Sequence, residues 1–317
     1  MKLSSCDLCG SKKIKFLYNG HDRMHNVKGS YSLWKCSKCG LVFLNPRPSD
    51  KQLAKHYPKE GYYSFKLDGN LSPKEILLYK TFFTKEANPV LKILLFPLKP
   101  LLRGTIIKKN GRFLDIGCGS GRFLLLMKHF GMKCFGAEPG DFDAKGAKKH
   151  GLEIKKGKVT EIKYQKGYFD VISLNHVFEH LDNPKETLQC LHKILKPDGR
   201  IIIAIPQRKG LIPWIFRQYW VQLDVPRHLF IHTPKTVKAY AKKAGFRVDK
   251  LRYRSSPLQF LGSWRYFTNK YKKKEIFLSD KQFNKYLYIA FMPLAYLLNI
   301  IRIGDEIEVQ LVKENFK

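Results

Sequence analysis

Acidic side chains are scarce in this sequence. Its 317 residues include 26 Asp and Glu against 59 Lys and Arg, which leaves a net charge of +33 at pH 7. A field of that sign favours an anionic partner, which could be nucleic acid, an acidic membrane face or a phosphorylated substrate. Because the lysines are spread along the whole chain, charge alone does not choose among the three. The hydrophobic fraction of 44% argues against a globally disordered chain.

Long uninterrupted apolar runs are lacking as well. Met1–Cys6 contains no apolar signal core, so we do not expect secretion and place the protein in the cytoplasm. The two most apolar stretches, 88–103 and 287–301, are interrupted by prolines and accompanied by cations, so neither is expected to span a bilayer. They suit either peripheral contact with anionic lipid at the inner face of the membrane or helices that cover the core. A homodimer interface is a further alternative.

The cysteines do not form a disulfide pattern. There are seven, an odd number, and four of them lie in two CxxCG knuckles, which suits a reducing compartment and a metal. Four thiolates match a closed, tetrahedral, structural zinc site, whereas unpaired thiols or a redox pair are the alternatives. Zinc ribbons often bind nucleic acid, so that partner stays open here. The predicted zinc ligands are Cys6, Cys9, Cys36 and Cys39.

Composition, prolines and changes of pattern divide the chain into five segments. Prolines at 46 and 48 end the knuckle region, and from Arg112 the pattern alternates between strand and helix, which is typical of a parallel sheet. In the second segment, Tyr62 and Tyr63 either line a substrate cleft or pack on the next domain. The predicted segments are a zinc ribbon (1–48), a basic helical linker or lid (49–110), an α/β core (111–255), a helical insertion that could face a membrane (256–303) and a final core strand (304–317).

A glycine turn organises the core. The apolar strand from Arg112 leads into Gly117, Gly119 and Gly121, and an amphipathic helix follows. Glycine allows a tight turn and brings backbone amides at a helix N-terminus close to a ligand, although a purely structural turn has the same pattern. Glu138 ends the next strand about twenty residues later, where a carboxylate can accept both hydroxyls of a ribose. Asn175-His176 ends a further strand, so all these groups are expected at one edge of the sheet.

These motifs carry a resemblance to a known family. In order and spacing, DIGCGSG, the strand-end Glu138, FDVI, EHLDNP and LKPDGR between Phe113 and Pro206 resemble class I S-adenosylmethionine-dependent methyltransferases. The glycine spacing G-x-G-x-G differs from the G-x-G-x-x-G of dehydrogenases, which disfavours a nicotinamide cofactor. The segments 36–48 and 224–229 are similar to methyltransferases with an N-terminal zinc motif, whose members act in sugar, lipid and surface-polysaccharide pathways and in deoxysugar C-methylation.

The resemblance implies a fold and a cofactor site. The fold would be α/β, a Rossmann-like seven-stranded sheet whose last strand is antiparallel, with the small zinc ribbon before it and the helical insertion before the last strand. S-adenosylmethionine and a structural Zn²⁺ would be bound. A departure occurs at Gly157-Lys158, where many relatives carry an acidic residue on the adenine amine. The implied cofactor-binding residues are Asp115, Gly117, Cys118, Gly119, Gly121, Glu138, Pro139, Asn175 and His176.

Catalysis needs a nucleophile in line with the activated methyl group and a base for its proton. His228 is the first candidate, with shaping of its loop through Asp224 as the alternative. His176, Glu179 and His180 rank second, and fixing the helix that follows the strand is the alternative role for Glu179 and His180. Arg227 could bind a phosphate or carboxylate, or pair with Asp224. We expect O- or C-methylation of a small sugar, glycan or lipid-linked acceptor.

Two other functions stay open at this point. The chain could methylate RNA or protein, using the ribbon and the basic surface, or it could be a non-catalytic cofactor-fold binding module. Nucleic acid is the weaker partner, because the basic runs lack interleaved aromatic residues and the strand ending at Asn175-His176 lacks Asn-Pro-Pro-Tyr. The intact glycine turn and Glu138 argue against a non-catalytic module.

Overall fold

A computed structural model describes residues 3–57, 67, 69–84, 87–269 and 285–314. The described strands, in chain order, are β1 Ile14–Gly20, β2 Tyr31–Cys36, β3 Val42–Leu44, β4 Arg112–Ile116, β5 Lys133–Glu138, β6 Glu153–Lys156, β7 Phe169–Asn175, β8 Leu195–Pro206, β9 Phe230–Ile231, β10 Phe246–Tyr253 and β11 Glu306–Lys313. The α-helices are α1 Asp50–Ala54, α2 Pro73–Phe83, α3 Pro89–Leu94, α4 Arg122–His129, α5 Ala144–Lys149, α6 Pro184–Ile194, α7 Leu211–Phe216, α8 Pro234–Lys243, α9 Leu258–Thr268, α10 Lys285–Ala290 and α11 Met292–Ile300.

Seven strands form the main sheet, in the order β10-β11-β8-β7-β4-β5-β6. The pairs from β8 through β6 are parallel, while β11 runs antiparallel to both β8 and β10. The central strands β7 and β8 are buried almost throughout, as the apolar run Ile201–Ile205 requires, and the edge strand β6 is largely exposed. The predicted α/β fold, with its last strand antiparallel, is confirmed.

The N-terminal ribbon is joined to this core through a second sheet. Strands β1, β2 and β3 pair antiparallel in order, and β3 then pairs with β9 from the core, so that Phe43 lies opposite Phe230. Two side-chain contacts add to this joint. Tyr240 of α8 donates to Asp7 Oδ2 at 2.7 Å, and Arg47 donates to the backbone oxygen of Asp182 at 2.8 Å. The ribbon is therefore packed against the core.

Helix α6 begins at Pro184, where Asn183 caps it by accepting from the Glu186 amide at 3.3 Å. The apolar stretch 287–301 forms two short helices, α10 and α11. Among the described residues, no helix has both the length and the hydropathy to cross a bilayer.

Candidate active site

The glycine turn lies between β4 and α4 and depends on left-handed backbone. Gly117, Gly119 and Gly121 have φ values of +64°, +55° and +91°, which other residues rarely adopt. At Gly117 a Cβ atom would also stand 2.5 Å from the Val177 side chain. The turn is held by the Gly117 amide, which donates to the Ala137 oxygen at 2.8 Å. Glycine is therefore required here by backbone geometry and, at Gly117, by a close neighbour.

Glu138 connects this turn to the loop after β5. Its two carboxylate oxygens accept from the Gly119 amide and from the Gly140 amide, each at 2.8 Å. Burial raises the pKa of Glu138 even though both amides favour its charged form. Pro139, beside it, is exposed, and Cys118 is partly buried. The carboxylate is thus fixed beside the turn, at the edge where a ribose is expected.

Asp115 is held beneath the turn rather than at its surface. Its side chain is fully buried, and its Oδ1 accepts from Arg103 and from the Ser173 hydroxyl, the latter at 2.7 Å. Arg103 also donates to Ser173 at 3.0 Å and stacks over the Phe123 ring. The second oxygen of Asp115, Oδ2, accepts no hydrogen bond within the described residues. Arg103 is the last residue of the apolar stretch 88–103, so this stretch is tied to the glycine turn.

His176 follows β7 in left-handed backbone, with φ of +53°. Its Nδ1 lies 3.5 Å from Glu179 Oε1, and its Nε2 lies 3.4 Å from Glu306 Oε1. Burial opposes a charge on the ring, but the carboxylates of Glu306 and Glu179 outweigh it and raise the pKa of His176 to about 10. His176 is therefore a cation at neutral pH, and its side chain keeps 36% of its surface exposed.

His228 lies behind Glu179, on the loop between β8 and β9. Its Nδ1 is 3.0 Å from the Gln222 carbonyl, which can only accept, so Nδ1 carries the hydrogen and Nε2 the lone pair. Nε2 stands 3.7 Å from Glu179 Oε1 and 3.8 Å from Asp224 Oδ2. Burial, together with the nearby ring of His180, lowers the pKa of His228 to about 4. This histidine is therefore neutral at pH 7.

Glu179 is the shared neighbour of these histidines. Its side chain is 1% exposed, and neither carboxylate oxygen accepts a hydrogen bond within the described residues. Burial raises its pKa, but His176 and His228 outweigh that effect and lower it to about 2. Glu179, His180 and His228 each offer one ligand-type atom, and these atoms lie within 4.8 Å of one another. The His180 Nδ1 is 2.9 Å from the Arg227 carbonyl, so it too presents its Nε2 as the lone pair.

Arg227 is buried and bonded to other groups of the protein. It is 2% exposed, and its N–H groups donate to Asp224, Asp22 and the His56 carbonyl, the last two through Nη1 at 3.0 and 2.9 Å. Of the two roles weighed from the sequence, pairing with Asp224 is confirmed, and binding of an anionic ligand is wrong because no donor is left over. Asp22 also lies 2.6 Å from His56 Nδ1, and Tyr31 bonds the other ring nitrogen at 2.7 Å.

The predicted cofactor and catalytic residues are placed along one edge of the sheet, around the carboxyl ends of β4, β5 and β7. Tyr62 and Tyr63 lie outside the described residues. Sequence reasoning missed Arg103, Asp22, His56 and Glu306. Only Glu306 had a usable signal: the first residue of an antiparallel final strand must lie at the same edge as the carboxyl ends of its parallel neighbours, and Glu306 does pair with Pro206.

The four knuckle cysteines converge. Sγ of Cys6 lies 3.5 Å from Sγ of Cys39, and Sγ of Cys9 lies 3.6 Å from Sγ of Cys36. Tetrahedral Zn–S bonds of about 2.3 Å place sulfur atoms roughly 3.8 Å apart, close to these values. Behind each knuckle a left-handed glycine, Gly10 or Gly40, returns its amide to the first cysteine's oxygen. The donor set and its spacing fit a structural zinc ion.

The edge of the main sheet also fits S-adenosylmethionine. The turn presents left-handed glycines, Glu138 is fixed beside it, and the buried Asn175 Oδ1 has no hydrogen-bond partner within the described residues. A seven-stranded sheet with an antiparallel last strand and this strand–turn–helix unit defines the class I S-adenosylmethionine-dependent methyltransferases.

Comparison with known proteins agrees. The family model described as "Methyltransferase domain" matches residues 92–251, just over half of the chain, and the chain belongs to this family. The predicted enzyme class, an S-adenosylmethionine-dependent methyltransferase, is confirmed.

Similar sequences and structures are found in bacteria and archaea. An uncharacterized protein of Methanocaldococcus jannaschii is 29% identical over 138 residues, which are 44% of this chain and 65% of that protein. A ubiquinone biosynthesis O-methyltransferase of Pseudomonas aeruginosa is 27% identical over 176 residues, covering 50% of this chain and 75% of the relative. A solved S-adenosylmethionine-dependent methyltransferase from Archaeoglobus fulgidus is 22% identical, with a TM-score of 0.45, over 75% of this chain and 98% of that one.

Proposed function

We propose that this methyltransferase transfers a methyl group from S-adenosylmethionine to oxygen or carbon of a small sugar, glycan or lipid-linked acceptor in the cytoplasm. The cofactor supplies an activated methyl group on a sulfonium centre. The chain's task is then to hold the cofactor, align the acceptor and remove its proton. The observation that carries the proposal is the neutral Nε2 of His228 beside two carboxylates at the edge that also holds the glycine turn.

The cofactor would be held by the turn and by two strand ends. Backbone amides near Gly119 would face its amino-acid end, Glu138 would accept the ribose hydroxyls, and Asn175 would offer its unpartnered oxygen. Asp115, being buried, would act by fixing Arg103 under the turn. Each of these roles uses a group whose position is already fixed by a hydrogen bond or by burial.

The acceptor's proton would go to His228. Its Nε2 carries the lone pair, and the charge that develops on the ring would be stabilised by Glu179 and Asp224 at 3.7 and 3.8 Å. His176 is already protonated at neutral pH, which favours a role in binding anionic or polar groups over that of a base. Glu179 would act as a positioning residue between the two rings.

The zinc ion belongs to the same proposal. Bound to Cys6, Cys9, Cys36 and Cys39, it would hold the knuckles in place, and through Asp7 and β3 the ribbon would stay against the core. The ribbon contributes Asp22 to Arg227, so the ion would indirectly support the loop that carries His228.

The test is transfer of labelled methyl groups. Wild-type protein and the His228→Asn variant are incubated with S-adenosylmethionine carrying a radiolabelled methyl group and separate pools of nucleotide sugars, polysaccharide, polar lipid, RNA and protein. We expect label in a sugar, polysaccharide or lipid pool, and loss of that label with the variant. Label confined to RNA or protein would contradict the proposed acceptor class.

A further inference from the structure

Exposed apolar side chains are concentrated in four segments of this chain. Within the described residues, only Phe16 and Leu77 among the exposed large apolar side chains lie elsewhere. Several are far from buried: Ile93 is 76% exposed, Trp214 72% and Ile300 73%. We name the exposed side chains of 88–103, 211–216, 258–268 and 285–302 the apolar face. An apolar surface of this extent on a protein commonly marks a contact with a membrane or another protein.

Direct contacts connect the four segments. Tyr296 of α11 donates to the Phe96 oxygen at 2.7 Å, which joins the first segment to the last. The ring of Phe260 on α9 stacks on Phe291 at 5.2 Å. On α7, the ring of Phe216 lies edge-on to that of Phe267 on α9, at 6.2 Å. The apolar face is therefore built from adjoining elements rather than scattered ones.

Its charge is of one sign. None of the four segments contains an Asp or a Glu, although the chain has 26. The basic residues in them are Lys92, Lys99, Arg103, Arg265, Lys285 and Arg302. Apolar and aromatic side chains mixed with cations and free of acids are the composition of surfaces that insert into an anionic lipid interface. A protein partner would more often be met by charges of both signs.

A basic cavity adjoins the first segment. It has a volume of about 360 Å³, and its lining includes Lys99, Arg200, Lys250 and Arg252. Arg200 pairs with Asp249 and Arg252 with Glu308. Lys99 lies over the rings of Phe82 and Phe96, at 5.6 and 6.0 Å. A lipid phosphate would be attracted to such a cavity.

The apolar face is also tied to the active site at both ends. At one end Arg103, the last residue of the first segment, bonds Asp115 beneath the glycine turn. At the other, Asn299 of α11 exchanges two hydrogen bonds of 2.9 Å with the Ser255 backbone, and the Ser255 hydroxyl accepts from the Glu306 amide. Glu306 in turn faces His176. A molecule held at the apolar face is thus close to the edge where methyl transfer is proposed.

We infer that the apolar face binds the surface of a membrane that contains anionic lipid, and that the acceptor is an amphipathic molecule presented from it. The second part rests on the proposed function, whereas the first does not. The helices α10 and α11 are short, which suits insertion at the membrane–water interface and not a crossing of the bilayer.

Vesicle flotation tests the inference with a matched control. The 317-residue chain is floated with phosphatidylcholine vesicles, with or without about one third phosphatidylglycerol. The test variant is Ile93→Glu/Ile300→Glu. The control is Phe16→Glu/Leu77→Glu, which adds the same charge at exposed apolar positions off the face. Each protein is also tested for S-adenosylhomocysteine binding by calorimetry, and its mass is measured by light scattering.

We expect binding to the anionic vesicles only, weakened at least about tenfold by the test variant and retained by the control. Absence of vesicle binding at low salt, or equal loss in both variants, would overturn the inference. A second contrary result concerns the mass of the protein. If the wild type were a dimer that never bound vesicles, and the test variant were a monomer, the apolar face would join two copies of the chain and the inference would be overturned. Wild-type protein that binds vesicles but not S-adenosylhomocysteine would overturn the proposed function and leave the membrane contact standing.

Discussion

Arg227 and Asp22 form a buried ion pair although 205 residues separate them, with Nη1 and Nη2 of the arginine 3.0 and 3.1 Å from the two aspartate oxygens. Asp22 comes from the loop between β1 and β2 of the zinc ribbon, and Arg227 immediately precedes His228. The same guanidinium also holds Asp224, whose pKa it keeps well below the usual range even though burial acts the other way. The ribbon therefore contributes directly to the position of the histidine loop.

This pair predicts that Asp22→Asn damages catalysis without touching the cofactor site. Removing one partner of a buried ion pair leaves the other charge poorly compensated, so we expect the free energy of unfolding to fall by about 3 kcal/mol. We also expect kcat to fall by more than the affinity for S-adenosylhomocysteine, because the His228 loop shifts while Glu138 does not. Denaturant unfolding, initial rates and calorimetry measure the three quantities.

The matched control is Asp249→Asn. It removes the charge of Asp249, a partly exposed residue of β10 that pairs with Arg200. A surface pair of this kind contributes little, so the control should keep both stability and rate. If Asp22→Asn kept its stability and rate as the control does, the ion pair between the ribbon and the histidine loop would not contribute to catalysis.

The proton-accepting role of His228 predicts a displaced pH profile. Burial lowers the pKa of His228 to about 4, and only the neutral ring can take a proton. Activity should therefore be lost as the pH falls through about 4 to 5 and not near the ordinary histidine value of about 6.5. The measurement is kcat/KM against pH, with circular dichroism to confirm that the protein stays folded.

Replacing the histidine gives the second half of this test. His228→Asn should lower kcat by about 10² to 10⁴ and abolish the acid limb, since a general base contributes about that much. His192→Asn, at a ring packed on Phe246, is the control and should change neither. An acid limb that persists in His228→Asn would assign the base to another group.

The cysteine cluster predicts one zinc ion per chain. Metal analysis of the intact protein should find one equivalent, and Cys9→Ser or a strong chelator should release it and lower the melting temperature. Cys190→Ser, outside the cluster, should keep the metal. A second equivalent that disappears in His180→Ala would place a metal on the Glu179–His180–His228 group and contradict the use of His228 as a base.

The sequence predicted the parts of this molecule that depend on local chemistry. The turn at 117–121 could be read because left-handed backbone demands glycine, and the buried run Ile201–Ile205 because a central parallel strand is apolar on both faces. Even Glu306 was within reach, since its position follows from strand direction. Arg227 was not, because its partner Asp22 lies in a loop without a motif, and its burial depends on how the ribbon docks through β3 and β9.

The central claim, that the edge at Gly119 and Glu138 holds S-adenosylmethionine, is tested most directly by calorimetry with S-adenosylhomocysteine. We expect the wild-type chain to bind it, Glu138→Gln to bind about 10- to 100-fold more weakly because hydrogen bonds to a charged group are lost, and Glu153→Gln on the neighbouring strand β6 to bind like the wild type. Failure of the wild type to bind, or equal affinity in Glu138→Gln, would contradict the account.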